Sequence, residues 1–233
     1  MFRGNNLLIY LSTCLLITAE VSASYWRKPS SQYLMKEIHT ITADLSNVLF
    51  EEEAPLDPTP PPHEKVAKMA RYVVHLSDWI AISTISTRSP TKGRAFANVL
   101  SMSDGPNKNS SGVPYFYLTP MEMSVRDLKV DNNASITASL AETNYCARME
   151  YDPMDPLCAH VILNGKIVEV SSAEEKKFAK RSLFSRHPEM ADWPVGHNWF
   201  FAKMNIENIL VLDFFGGAKT VPVEAYYKAT PYP

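Results

Sequence analysis

Residues 75–87, HLSDWIAISTIST, are followed by GRAFANVLSMSDG (93–105), SGVPYFYLTP (111–120) and MEMSVRDL (121–128). Three short runs rich in β-branched and aromatic residues, parted by Gly, Pro and Ser, predict an antiparallel meander over Trp79–Thr87, Ala95–Met102 and Tyr115–Leu118. Thr119-Pro120-Met121-Glu122 then places a capping Thr before a first-turn Pro and a Glu three residues on, so a helix is expected to run to about Lys129. A sheet of this kind needs further strands to bury its apolar face.

The chain supplies them on the C-terminal side. Residues 134–141 alternate, with Ala134, Ile136, Ala138 and Leu140 on one face and Ser135, Thr137 and Ser139 on the other. His160–Val170 is a strand region interrupted by Asn164-Gly165, which permits a tight hairpin or a bulge in one long strand. Ser172 with Glu175 offers a capping box for a helix to about Ser185, before His187-Pro188. Two final strands are expected at Asn198–Ile206 and Ile209–Phe215. Upstream, Val66, Met69, Ala70, Val73 and Val74 mark a helix that ends near Ser77-Asp78. Seven or so strands with a few helices predict an α+β fold built on a small β-barrel.

The 233 residues carry a formal net charge of −2 with 45% apolar and 21% charged residues, so one core of ordinary size is expected. That balance argues against a general nucleic-acid binder, which needs a surplus of Lys and Arg to displace phosphate counterions. Arg3 before LLIYLSTCLLITA, with the small residues Val21-Ser22-Ala23 behind it, predicts a signal peptide over 1–23. Residues 24–62 then hold an amphipathic helix within 33–50 and a proline-rich linker, EEEAPLDPTPPPHE, ahead of the domain at 63–230. Nothing after residue 24 is apolar for long enough to cross a membrane as a helix.

Secretion sets the redox context. Cys14 leaves with the signal, and Cys146 and Cys158 are expected to form a disulfide. Asn109-Ser110-Ser111 and Asn133-Ala134-Ser135 match the N-glycosylation pattern, which makes Asn109 and Asn133 candidate glycan sites. No Cys or His cluster has metal-ligand spacing. His75, His160, His187 and His197 are scattered without Ser-His-Asp spacing, so no catalytic residue is assigned. Trp199-Phe200-Phe201 reads as core or dimer packing and not as a nucleic-acid platform.

The strings RYVVHLSDWIAISTIST, FANVLSMSDGP, SGVPYFYLTP, TNYC, DPMDPLCAH, SLFSRHPEM, HNWFFAKMNI and VLDFFGGAK resemble the CREG family, over roughly Ala67 to Tyr227. These are secreted glycoproteins first described as cellular repressors of genes stimulated by a viral oncoprotein. The resemblance implies the split β-barrel of FMN-binding, pyridoxamine-phosphate-oxidase-like proteins, with peripheral helices and assembly as a homodimer. It also implies that Asn164-Gly165 is a bulge. It further implies a secreted, extracellular or endolysosomal glycoprotein, non-enzymatic, that acts in growth and differentiation control. Its glycans are expected to engage a cell-surface or mannose-6-phosphate-type receptor. Direct action on nucleic acid is not expected.

In flavin-binding relatives of the fold, the helix after the third strand carries a Thr-Arg-Asn-Leu signature. Here the matching positions read Ser124-Val125-Arg126-Asp127-Leu128. A flavin phosphate needs a cationic fork with hydroxyl or backbone donors. Arg126 would be the fork, and Ser124, Thr84 and Ser86 the hydroxyls, of a vestigial or weak FMN site, with Arg88, Lys92 or Arg94 adding charge. Asp127 opposes such a site by Coulomb repulsion. The competing reading pairs Arg126 with a neighbouring carboxylate and turns the hydroxyls to solvent, with no cofactor. The alternative function is therefore a flavin-dependent oxidoreductase, or a haem-handling protein like some bacterial relatives of the fold.

Overall fold

A computed structural model describes residues 59–232. The signal peptide over 1–23, the helix within 33–50 and the linker up to residue 58 lie outside the described residues.

Helix α1 (Val66–Leu76) buries Met69, Ala70, Val73 and Val74 and lays them against the sheet and the C-terminal helix. The strands are β1 (Trp79–Ile85), β2 (Ala95–Ser101), β3 (Tyr115–Leu118), β4 (Asn133–Ser139), β5 (His160–Glu169), β6 (Phe200–Leu212) and β7 (Lys219–Thr220). Helices α2 (Met123–Leu128), α3 (Tyr145–Arg148), α4 (Ala173–Arg186) and α5 (Val223–Lys228) lie between and after them. Every strand pairing is antiparallel, in the order β2-β1-β4-β5-β6-β3, with β7 also on β6. Period-2 alternation turns Ile80, Ile82, Ile136, Leu163, Met204, Ile209 and Val211 to the interior, where each is essentially fully buried. Each such side chain contributes about 1.5–3 kcal/mol relative to exposure.

The first three runs do not form the expected meander. β1 and β2 are a hairpin, but β3 pairs with β6, Tyr115 opposite Lys203 and Leu118 opposite Phe200. The loop between β2 and β3 is pinned by Asp104, whose carboxylate accepts from Gly112 N at 3.1 Å and whose carbonyl accepts from Ser111 N at 2.8 Å. Only one bridge, Ser103 to Tyr115, links the ends of β2 and β3. That bridge curls the sheet towards closure, and the remaining backbone groups of β3 are satisfied by β6.

The two expected C-terminal strands are one. β6 runs unbroken through Glu207-Asn208, and the register skips from Asn164 opposite Asn208 to Gly165 opposite Ile206. Glu207 is the extra residue of a bulge, so its polar, exposed side chain imitates a turn in the sequence. Asn164-Gly165 is accordingly a bulge position inside β5 and not a hairpin tip. A Cβ on Gly165 would lie 2.1 Å from the Asn205 carbonyl oxygen, so only glycine fits there.

The helix after β3 also begins later than Thr119 suggests. The Thr119 hydroxyl donates to the His197 carbonyl at 2.6 Å and accepts from Met121 N at 3.2 Å. Glu122 itself is the cap, accepting from Val125 N at 3.0 Å. α5 follows Pro222 and seats Tyr226, fully buried, with its hydroxyl donating to the Gly112 carbonyl at 2.9 Å. A second, smaller apolar cluster lies under α4, around Tyr115, Val170, Ala179, Leu183 and Met190.

Candidate functional site

The residues expected to hold a phosphate converge where the end of β1 meets α2. Inward alternation along β1 buries Thr84, and the turn beyond it carries Ser86, Thr87 and Arg88. The Glu122 cap fixes the start of α2, so Ser124 and Asp127, three residues apart, share its buried face while Arg126 is exposed.

The centre of this cluster is Asp127, which has no exposed side-chain surface. Its Oδ1 accepts from Thr87 N at 2.9 Å, from the Thr87 hydroxyl at 2.8 Å and from Arg88 Nη1 at 2.7 Å. Its Oδ2 accepts from the Thr84 hydroxyl at 3.3 Å. Burial by itself would raise the pKa of this carboxyl, but the Thr87 donors and the Arg88 guanidinium outweigh it and hold the group below the usual carboxylate range. Arg88 is in turn oriented by the Met123 carbonyl at 3.0 Å and by the Phe96 ring, 4.7 Å below its Cζ.

The other expected ligands have different partners. Ser86 shares a hydrogen bond with Thr91 at 2.8 Å, and the Ser124 hydroxyl accepts from Asn98 Nδ2 at 3.1 Å. Arg126 Nε donates to the Pro120 carbonyl at 3.4 Å, so the cation paired with Asp127 is Arg88. A backbone N–H, two hydroxyls and a guanidinium is the donor set that a phosphate requires. Here an internal carboxylate already satisfies all of it. The residues present do not fit a flavin phosphate, which would have to displace a buried anion or share its donors against like-charge repulsion. Thr87, one residue past Ser86 in the IST run, is the donor that the sequence pattern misses.

The expected covalent features lie elsewhere. Cys146 and Cys158 are bonded, both are buried, and their Cα atoms are 5.5 Å apart. Asn109 and Asn133 are both exposed. Asn109 sits on the loop held by Asp104, whose carboxylate pairs with His75 Nδ1 at 2.6 Å and also accepts from the Ser110 hydroxyl. Arg71 Nη2 donates to the Ser110 hydroxyl at 2.8 Å, and the Tyr232 hydroxyl donates to the Asn107 carbonyl at 3.0 Å. His75 is therefore a structural pin for this loop, while His160, His187 and His197 are not part of it. Among the described residues no cluster of three or more His, Cys, Asp or Glu is placed to hold a metal, and no helix is long and apolar enough to cross a membrane.

A family model described as "CREG, beta-barrel" matches residues 61–228. Protein CREG1 of Gallus gallus is 55% identical over 175 residues, covering 74% of this chain and 91% of that protein. Protein CREG1 of Homo sapiens is 52% identical over 179 residues, covering 77% and 81%. Among solved structures, a heme binding protein from Mycobacterium smegmatis superposes with a TM-score of 0.55 at 16% identity, covering 74% of this chain and 63% of that one. The fold is thus the α+β split β-barrel of FMN-binding proteins.

Proposed function

Because the chain belongs to the CREG family, we propose that it is a non-enzymatic, secreted or endolysosomal glycoprotein that acts in growth and differentiation control by binding a receptor or partner. The observation that carries the non-enzymatic reading is Asp127, a built-in anion that takes the hydroxyl, backbone and guanidinium donors of the fold's phosphate position. With those donors occupied, the chain has no preformed cradle for the cofactor on which this fold's redox chemistry rests.

Two further observations support presentation of a surface. Asn109 and Asn133 are exposed, and the Asn109 loop is held by the buried pin of His75 and Asp104, so a glycan there would project from a fixed platform. The outward face of the β2-β1-β4 sheet carries Ala95, Ala97, Val99 and Ser101, then Trp79, Ala81, Ser83 and Ile85, then Ser135, Thr137 and Ser139, with the candidate glycan site Asn133, the first residue of β4, bounding it at that end. None of these is charged, and Trp79, Ile85 and Val99 are all exposed. An uncharged, small-residue face of this extent suits the centre of a self-complementary homodimer interface.

The receptor reading is tested with the protein secreted by animal cells. Surface binding and uptake by receptor-bearing cells are expected to fall when free mannose 6-phosphate is added, and to vanish for Asn109→Gln combined with Asn133→Gln. Uptake indifferent to both changes would exclude delivery through glycans.

A further inference from the structure

Beyond the cradle, one cleft joins an aromatic floor to unpaired polar groups. It has a volume of about 280 Å³ and opens between α4, the turn at Met190–Trp193 and the start of β6. The Tyr117 ring lies nearly parallel to Trp199 (centroids 5.1 Å, 22°), Phe201 (4.9 Å, 27°) and Trp193 (6.0 Å, 19°). Phe184 closes one side edge-on, 5.3 Å from Tyr117. Trp199 is locked in place, since its Nε1 donates to the Pro194 carbonyl at 2.9 Å.

The polar groups at the cleft are not spent on hydrogen bonds within the protein. Among the described residues the Tyr117 hydroxyl, the Trp193 indole N–H, the Asn198 side-chain amide and the Lys180 ammonium make no hydrogen bond, although each residue lines the cleft. Lys180 stands 5.4 Å from the Phe184 ring centroid. No carboxylate lines the cleft, and Glu189 and Asp192 of the adjoining turn are not among its walls. The exposed side of α4 adds Lys176, Lys177 and Arg181. Lys180 and Asn198 are exposed and Trp193 is half-buried, so their donors face solvent and are open to a ligand that lies on the aromatic rings.

We propose that this cleft binds a single sugar ring that carries an acidic group. The C–H face of a pyranose is weakly positive and stacks on the negative faces of aromatic rings. Its hydroxyls lie at the ring edge, where Tyr117, Trp193 and Asn198 offer donors and one amide acceptor. The acidic group lies towards Lys180, which with Lys176, Lys177 and Arg181 outnumbers Glu174 and Glu175 on α4 and favours an anion over a cation there. The volume is at the small end for ligand sites, which limits the occupant to one ring and its substituents. The two walls have different chemical tasks, so their removal has different consequences.

The test titrates the secreted protein, carrying Trp79→Phe so that the tryptophans of the domain are Trp193 and Trp199, with glucose 6-sulfate, glucuronic acid, glucose and benzoate, reading tryptophan fluorescence. Saturable quenching by the two acidic sugars, at least tenfold tighter than by glucose, is expected. Lys180→Gln should erase that preference while leaving the melting temperature unchanged. Trp193→Ala should weaken all three sugars by at least tenfold, a change of about 1.4 kcal/mol. No saturable response to any sugar up to its solubility limit would overturn the proposal, as would an acidic preference that survives Lys180→Gln. Binding of benzoate without the sugars would overturn the ligand class. Loss of fold in Trp193→Ala does not remove the test, because Lys180 is exposed and its variant reports on the same preference.

Discussion

Glu142 makes the stability of this domain depend on pH in an unusual direction. Its Oε1 accepts from Ser139 N at 3.2 Å, but its Oε2 is buried and has no hydrogen-bond partner. The nearby Ser77 hydroxyl, which donates to the Val73 carbonyl at 3.0 Å, and the Ser139 N–H both ease ionisation of Glu142, but less than burial opposes it. Burial, aided by the Asp78 carboxylate, pushes the Glu142 carboxyl up from 4.5 to about 7. A folded value above the unfolded one means that the native state binds the proton more tightly. The contribution is therefore complete below about pH 4.5 and is lost as the pH rises through 7. At 1.36 kcal/mol per pH unit the full shift is worth at most about 3.4 kcal/mol, and screening at this partly open site reduces it to about 1–2 kcal/mol. For a domain of this size that is a rise of roughly 2–8 °C in melting temperature on acidification from pH 7.5 to 4.5. Glu142→Gln should flatten the profile by that amount, chiefly by stabilising the protein at pH 7.5. Thermal unfolding by circular dichroism across the range reads both curves. A variant that retains the wild-type slope would refute the reasoning, since the slope would then come from other groups.

Asp127→Ala strips a buried anion from Arg88, Thr84 and Thr87 and should lower stability by about 3–5 kcal/mol in denaturant unfolding. Added inorganic phosphate should partly restore the variant's melting temperature and leave the wild type unchanged. Replacing Cys146 and Cys158 together by Ser should cost about 2–4 kcal/mol, seen as a lower melting temperature that dithiothreitol no longer shifts. Gly165→Ala forces a Cβ onto the Asn205 carbonyl oxygen at 2.1 Å. It should destabilise by about 1–3 kcal/mol or more, visible as poor secretion and a lower unfolding midpoint.

Much of this architecture was legible because local chemistry and global fold agree. Ser172 accepts from Glu175 N at 3.0 Å and starts α4 where the capping pattern placed it. The alternation over β4 matches its burial. Failures cluster where tertiary partners decide. No local signal in YFYL says that β3 will leave β2 for β6, because that choice depends on the Asp104 pin in the preceding loop. Glu207-Asn208 read as a turn because a bulge residue and a loop residue have the same polar composition. At the cradle, the sequence points to Thr84 and to the charge of Asp127, yet it puts Arg126 first as the cation and Arg88 only among the additional charges. The reach of Arg88 from the β1–β2 turn is set by packing on Phe96. The aromatic cleft was visible only as Trp199-Phe200-Phe201. Its partners Tyr117, Phe184 and Trp193 come from distant segments, so only the folded chain assembles it.

On the proposed reading, Asp127 stands where the fold's cofactor phosphate would bind, and the chain is a secreted glycoprotein. The most direct test of that reading is a visible absorbance spectrum of the purified secreted protein during titration with FMN, with the mass read before and after N-glycosidase. A colourless protein that leaves added FMN unperturbed and loses mass on deglycosylation is the predicted result. A stoichiometric bound flavin band, or a mass that the glycosidase does not change, would contradict it.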